Sequence, residues 1–485
     1  MPTATSKRRI ANKKEPIAKN INVDLEQKVT LPDELWLKIM CYLKTKDLFL
    51  KVALVCKHFY NLALDGGAVK CLEVRKIPSK KVLLKIMEIL KRSKSLTGLN
   101  INLNLLDDKN KRQKKFFFND LLVQALTSKR KLKSLDIKLS NYKDAELLHD
   151  TLTCLNQNGM ELEHLQLDGL KGPYIFDIFK SIINLENLRS LTLRPKYSYA
   201  KPNDLISFAK NCKKLEILKI NFKNYIGNAL VDTESLVLAF DTFFMERQST
   251  LRCLVVENIL VNFGGRDMLK NLDLCQKLEE LELSGSPNIT QSSLNKISTL
   301  PHLKKLVFRN LNTHPAIFQS FLARLNKENL ECLVISRCPS FNEFIFRNIM
   351  SNICFPKLER VLIGCKHTFD AYDFNHVIEY QVTMQCIQKL NIECIECIIE
   401  EMINKSPRIK SIMLEVELLG LKVSDNFCLK MSKKYNVLLS WLDEPNQSKL
   451  EQFLRSNDVV HFEKYMTMKN DLTEWCINND FEFAR

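Results

Sequence analysis

A short motif, LxxLxL, recurs along most of the chain and restricts its fold more than any other feature. It reads LKSLDI from Leu132, LEHLQL from Leu162, LRSLTL from Leu188 and LEILKI from Leu215. It continues as LRCLVV from Leu251, LEELEL from Leu278, LKKLVF from Leu303 and LECLVI from Leu330. Weaker copies start at Leu358, Ile387 and Ile409, and two earlier ones at Val69 and Leu96. Successive starts lie 27, 36, 30, 26, 27, 36, 27, 25, 27, 28, 29 and 22 residues apart. Such a period, about 20–29 residues in the commonest case, marks a stack of identical supersecondary units.

Within a unit the final x-L-x-L-x predicts a short strand with alternate residues buried. The residues after it have helical spacing. In NDLISFAKNCKKL, Leu205, Phe208 and Cys212 fall on one face, with Asn203 or Asp204 expected as the cap. A lone strand-helix unit cannot bury its apolar side, whereas stacked units can. The expected architecture is therefore α/β: a leucine-rich-repeat horseshoe of about 13 units, with parallel strands on the concave face and helices on the convex face. LEELELSGSPNITQSSLNKIS resembles the cysteine-containing class of these repeats, with Ser286 where that class has Cys, then Ile289 and Thr290. LVISRCPSF supplies the cysteine as Cys338, expected to be a small buried apolar group. The two 36-residue intervals imply insertions. One carries DDKNKRQKKFFFND, expected as a loop with Lys109, Lys111, Arg112, Lys114 and Lys115 solvated and Phe116 to Phe118 returning the chain to the core.

Composition narrows the alternatives. The 12 glycines among 485 residues are scarce beside the roughly 7% of an average protein, which disfavours Gly-rich phosphate loops and hairpin-rich β folds. No apolar run reaches the roughly 18 residues of a membrane helix. MPTATSKRRIANKKEP is basic with no apolar segment behind it, so it is not a secretory signal and could serve nuclear import. A cytoplasmic or nuclear protein is expected, with its 16 cysteines reduced. The net charge of +16 is uneven. Lys70 to Lys138 holds 19 basic and 6 acidic residues, while Asp443 to Arg485 holds 5 and 9. The basic front is either a solubilising face or an attraction for acidic partners.

The stretch LPDELWLKIMCYLKTKDLFLKVALVCKHFYNLALD, starting at Leu31, differs from everything after it. Pro32 suits a helix start, and Asp33 and Glu34 favour its positive end. Leu35, Ile39, Tyr42 and Leu43 form one apolar stripe, Leu48, Val52 and Val55 a second, and Cys56, Phe59, Leu62 and Ala63 a third. So short a helical module makes a poor core alone and leaves an apolar face for a partner. The stretch resembles an F-box: Leu31, Pro32, Glu34, Leu35, Tyr42, Leu43, Asp47, Leu48, Val55 and Cys56 match that family's pattern, and Phe59 stands where Trp is common. An F-box followed by leucine-rich repeats resembles the substrate receptors of SCF-type ubiquitin ligases. The resemblance implies that Leu31, Pro32, Leu35, Ile39, Leu43, Leu48, Val55, Cys56 and Phe59 bind the adaptor subunit, and through it cullin and RING subunits. The competing reading is that these helices merely cap the solenoid. The expected organisation is a disordered basic segment over 1–28, an F-box over 29–68, repeats over 69–442 and a cap or tail over 443–485.

No catalytic constellation is present. The eight histidines are dispersed, and there is neither an HExxH pair nor a Walker-type loop. CIEC at Cys394 to Cys397 has zinc-like spacing but no second pair, and is expected as packing at the end of a strand. No metal or cofactor is expected. Binding is expected on the concave residues between the leucines. Glu257, Glu280 and Glu282 should form an acidic patch beside a basic ridge of Lys305, Arg309 and Arg360, with Val255, Val307, Val334 and Leu362 threading between them. The function implied is a non-catalytic receptor that brings a protein substrate to the ligase. The alternative is an F-box-anchored scaffold without ubiquitin transfer, contacting nucleic acid through its basic N-terminal repeats. Nucleic acid is the least favoured partner, since no recognised binding module is present.

Overall fold

The computed structural model describes residues 31–43, 48, 51–64, 68, 70–74, 90, 96–102, 131–138, 161–169, 182, 185–194, 202–221, 233–257, 267–285, 289–311, 313–336, 338, 355–364, 392–415 and 438–441. The described residues open with a helical module: α1 (Asp33–Met40), a 3-10 turn (Val52–Leu54) and α2 (Lys57–Leu64). Thirteen strands follow: β1 (Cys71–Val74), β2 (Gly98–Asn102), β3 (Ser134–Lys138), β4 (His164–Asp168), β5 (Ser190–Arg194), β6 (Ile217–Asn221) and β7 (Cys253–Glu257), then β8 (Glu280–Ser284), β9 (Lys305–Arg309), β10 (Cys332–Ser336), β11 (Arg360–Gly364), β12 (Ser411–Glu415) and β13 (Leu438–Trp441). They form one parallel sheet in chain order. Between strands run α3 (Pro202–Asn211), α4 (Thr233–Arg247), α5 (Gln291–Ser298), α6 (Pro315–Arg324) and α7 (Ile392–Lys405). The arrangement is an α/β horseshoe.

The leucines of the motif explain the sheet. Leu135, Leu165, Leu191, Leu218, Leu254, Leu281, Leu306 and Leu333 are all buried and occupy the same register position from β3 to β10. Behind them pack apolar helix faces, including Leu205 and Phe208 of α3 and Phe240, Phe243 and Phe244 of α4. Phe308 of β9 lies 5.5 Å, centroid to centroid, from Phe321 of α6. The chain leaves several strands through one tight turn. Gly169, Gly285 and Asn310 each stand just past a strand with positive φ, at 80°, 67° and 51°. Each donates its N–H to the last strand residue of the next unit, at 3.0, 2.8 and 3.0 Å. Glycine accepts that conformation freely and asparagine tolerates it.

Four expectations need correction. The sheet steps directly from β11 to β12, with Arg360 beside Ser411. The expected strand at Ile387 therefore has no place between them, and Ile387 itself lies outside the described residues. Thirteen strands are still reached because β13, unanticipated, pairs with β12. Cys394 and Cys397 fall inside α7, not at a strand end. Helix α3 starts at Pro202, so Asn203 and Asp204 lie within its first turn and do not precede it. The insertion between Leu215 and Leu251 contains the 15-residue α4. The DDKNKRQKKFFFND insertion lies outside the described residues.

Candidate functional site

Two surfaces stand out, one on the sheet and one on the helical module. On the sheet's outer face, residues at equal positions form rows. The middle row from β4 onward reads Gln166, Thr192, Lys219, Val255, Glu282, Val307, Val334 and Leu362. A hollow of about 300 Å³ runs over β3 to β9. Its charged lining is Lys138, Arg194, Lys219, Glu257, Glu282 and Lys305, with Gln166, Thr192, Asn221 and Val255 among them. Asn221 Nδ2 donates to Glu257 at 2.6 Å. Glu282 is buried and lies 3.2 Å from Arg309.

The expected substrate residues divide. Glu257, Glu282 and Lys305 line this one hollow, and Arg309 joins it through Glu282. Glu280, which Cys253 Sγ approaches at 3.7 Å, and Arg360 lie outside the lining. The expected apolar anchors divide: Val255 is half-buried and lines the hollow, whereas Val307, Val334 and Leu362 are buried, at 0%, 0% and 5% exposure. Strands about 4.8 Å apart leave Val334 little free surface between Val307 and Leu362, its neighbours in register. Lys138, Arg194 and Lys219 were missed, although the same alternation applied to the units at Leu132, Leu188 and Leu215 marks them.

The helical module has two apolar faces. One packs inward, with Met40, Leu48, Ala53, Leu62 and Ala63 buried. Trp36 and Phe59 meet edge to face at 4.7 Å. The other remains in solvent: Leu31, Leu35, Ile39 and Leu43 are 37%, 42%, 46% and 38% exposed, and Val55 is 68% exposed. Pro32 sits just ahead of α1, and its carbonyl accepts from Leu35 and Trp36 at 3.0 and 3.2 Å. Asp33 Oδ1 reaches His58 Nε2 at 3.0 Å, tying α1 to α2. Cys56 opens α2: its carbonyl accepts from Tyr60 at 2.9 Å and its sulfur from the Phe59 N–H at 3.4 Å.

The F-box-like family model matches residues 29–69. The chain carries an F-box-like domain. A search of curated proteins finds no significant match. Among solved structures, the crystal structure of the Rad7 and Elc1 complex from yeast is similar at 13% identity, over 84% of this chain and 92% of that one, with a TM-score of 0.44. An internalin (inlF) from Listeria monocytogenes is similar at 11% identity, over 82% and 92%, with a TM-score of 0.37. Likenesses at this level carry no functional inference.

Within the F-box-like domain, two of the nine residues expected to face the adaptor turn inward. Leu48 is 1% exposed and belongs to the core, and Phe59 is half-buried against Trp36. The physical reason is the helix periodicity: the buried stripe of α1 runs through Trp36, Leu37 and Met40, and these need apolar partners from the other segments. Leu31, Pro32, Leu35, Ile39, Leu43, Val55 and Cys56 remain on the exposed side of the F-box-like domain. Among the described residues, no helix is long and apolar enough to cross a membrane, and no group of His, Cys, Asp and Glu is placed to hold a metal ion.

Proposed function

We propose that this chain is a substrate receptor of an SCF-type ubiquitin ligase. The F-box-like domain docks on the adaptor subunit and so joins cullin and RING subunits. The outer face of the sheet holds a protein substrate, in the cytoplasm or nucleus. The chain itself transfers nothing; it raises the effective concentration of substrate at the ligase by carrying both sites on one body. The observation that supports this most is the solvent-facing row Leu31, Leu35, Ile39 and Leu43, spaced four residues apart, with Leu54 and Val55 also exposed within the family match. Monomeric surfaces scatter such residues singly, whereas a contiguous group marks an interface.

The test is co-purification of the adaptor with the full chain carrying Leu35→Ala and Val55→Ala. An apolar anchor at an interface contributes about 2 kcal/mol, roughly thirtyfold in affinity, so the double variant should lose the adaptor. Both side chains lie outside the core, so the thermal midpoint should not move. Undiminished adaptor recovery would rule out this docking face. Normal adaptor binding without ubiquitin transfer to any captured partner would leave the scaffold reading instead.

A further inference from the structure

The hollow on the sheet has a polarity that the substrate-receptor reading does not by itself require. Four cations line it, Lys138, Arg194, Lys219 and Lys305, against two carboxylates, Glu257 and Glu282. Both carboxylates are already engaged. Glu257 accepts from Asn221 at 2.6 Å, and Glu282 is balanced at 3.2 Å by Arg309, which lies outside the lining. The charges are also separated. Lys138, Arg194 and Lys219 stand on β3, β5 and β6, and the lining carboxylates on β7 and β8, with Lys305 beyond them on β9; Asp136 of β3, in the middle row beside Gln166, accepts from Asn100 at 2.7 Å. Between the three cations lie Gln166 and Thr192, neutral groups that can donate hydrogen bonds. Asp168 on β4, 3.9 Å from Lys138, offsets part of that cation's charge. Lys219 is half-buried in the middle row between Thr192 and Val255, and makes no ion pair among the described residues.

The shape limits the occupant. Seven strands spaced about 4.8 Å apart span roughly 29 Å between the outermost two, so a volume of about 300 Å³ spread over them is a shallow furrow. A furrow of that form suits an extended peptide better than a compact metabolite, which is normally enclosed on most sides. The charge limits it further. Asp168, Glu257 and Glu282 would repel a dianion or a polyanion more strongly than a single carboxylate, which can settle at Lys219 and Thr192, with Asp168 beside Arg194 two strands from Lys219. We propose that the β3–β6 half of the furrow seats the carboxylate side chain of a bound peptide segment, with Lys219 and Arg194 as its cationic contacts and Thr192 as a neutral donor. The rest of the segment continues over Val255 toward β9. This deepens the substrate-receptor reading, on which it rests, by naming an acidic side chain as a selection element.

The experiment uses the full chain and a displayed library of random peptides. Selected peptides should be enriched in Asp or Glu at one position. Replacing that residue by Asn or Gln should weaken binding about thirtyfold or more, the effect of removing one partner of a half-buried ion pair. Lys219→Glu should cause a similar loss, Lys219→Arg should retain most of the binding, and Arg194→Gln should weaken it. Lys219 is not a core residue, so all variants should keep the wild-type thermal midpoint. Phosphoserine at the acidic position should bind more weakly than Asp. The proposal is overturned if no peptide is enriched, if enriched peptides lack an acidic residue, if Lys219→Glu binds as well as wild type, or if phosphoserine binds more tightly. Adaptor co-purification is read separately. Lost peptide binding with the adaptor retained removes the carboxylate seat alone, and lost adaptor binding with peptide retained removes the ligase reading alone.

Discussion

At the scale of single residues, burial decides chemistry. The thiols of Cys212, Cys253, Cys275 and Cys332 are each pushed up to about 12, chiefly by desolvation. At pH 8 a thiol of that kind is about one part in ten thousand thiolate, and thiolate is the reactive form. Cys56 is exposed. Alkylation of the native protein at pH 8, followed by peptide mass mapping, should therefore label Cys56 early and leave those four unmodified until denaturant is added. Early labelling of Cys253 would show that the outer face opens. Arg247 is the opposite case, a charge kept inside. It is 3% exposed, and its Nη1 donates to the Cys212 carbonyl at 2.8 Å, closing the end of α3. Arg247→Ala leaves that buried carbonyl without this donor and opens a void, so a loss of about 2–4 kcal/mol is expected from the denaturant midpoint. The sequence hides this role, because an arginine near a helix end reads as a solvated charge until its partner one unit earlier is known.

At the scale of the element, the motif carries a second code beside its leucines. The residue after the first leucine is Lys133, Glu163, Arg189, Glu216, Arg252, Glu279, Lys304 and Glu331 in successive units. These residues precede the strands, and from unit to unit their backbone carbonyls accept paired N–H groups, as Lys133 does from Glu163 and His164 at 2.8 Å. Their side chains alternate in sign and touch: Lys133–Glu163 at 2.6 Å, Arg189–Glu216 at 2.5 Å, and Glu279 between Lys304 at 2.7 Å and Arg252 at 3.8 Å. The hydrogen bond from Lys304 holds the Glu279 carboxyl below its ordinary 4.5. A depressed carboxylate stabilises the fold above its unfolded value, and that contribution disappears as pH falls through the folded value, below 4.5. Glu279→Lys places a third cation between two others. These groups are partly solvated, so about 0.2–1 kcal/mol of destabilisation is expected, shrinking in high salt. Adding Lys304→Glu should recover part of it, and a double-mutant cycle at two salt concentrations measures the coupling. The ladder was fully legible in the sequence, since it needs only the unit spacing. The Ile387 motif shows the opposite limit. IQKLNI matches the pattern, yet a strand requires neighbours in register, and β11 already pairs with β12. The 27-residue step from Ser411 to Leu438, which pair in register, is the signal that marks β13.

At the scale of the whole molecule, the F-box-like domain and the solenoid share one core. Met40, Leu48, Leu62 and Ala63 of the helical module belong to the same continuous cluster as Leu72, Leu96 and Leu99 of the first repeats. The sequence showed both parts but not their junction, because a stripe such as Leu35, Ile39 and Leu43 looks the same whether it faces a core or a partner. The structure separates the two uses by one helical step: Trp36, Leu37 and Met40 of α1 turn inward, while Leu35, Ile39 and Leu43 stay outside. A shared core means that a lesion in the helical module should spread into the sheet. Met40→Ala removes a fully buried side chain and should lower stability by about 2–5 kcal/mol. In stacked repeats stability is passed between neighbours, so amide protection should fall in β1 and β2 as well as in α1. Leu35→Ala, on the exposed face, should change stability by no more than about 0.5 kcal/mol and leave protection in β1 and β2 at the wild-type level. Hydrogen exchange read by mass spectrometry distinguishes the cases. If Met40→Ala loosens α1 and leaves β1 and β2 fully protected, the two parts fold independently, and the chain cannot hold its two surfaces at a fixed offset through this junction.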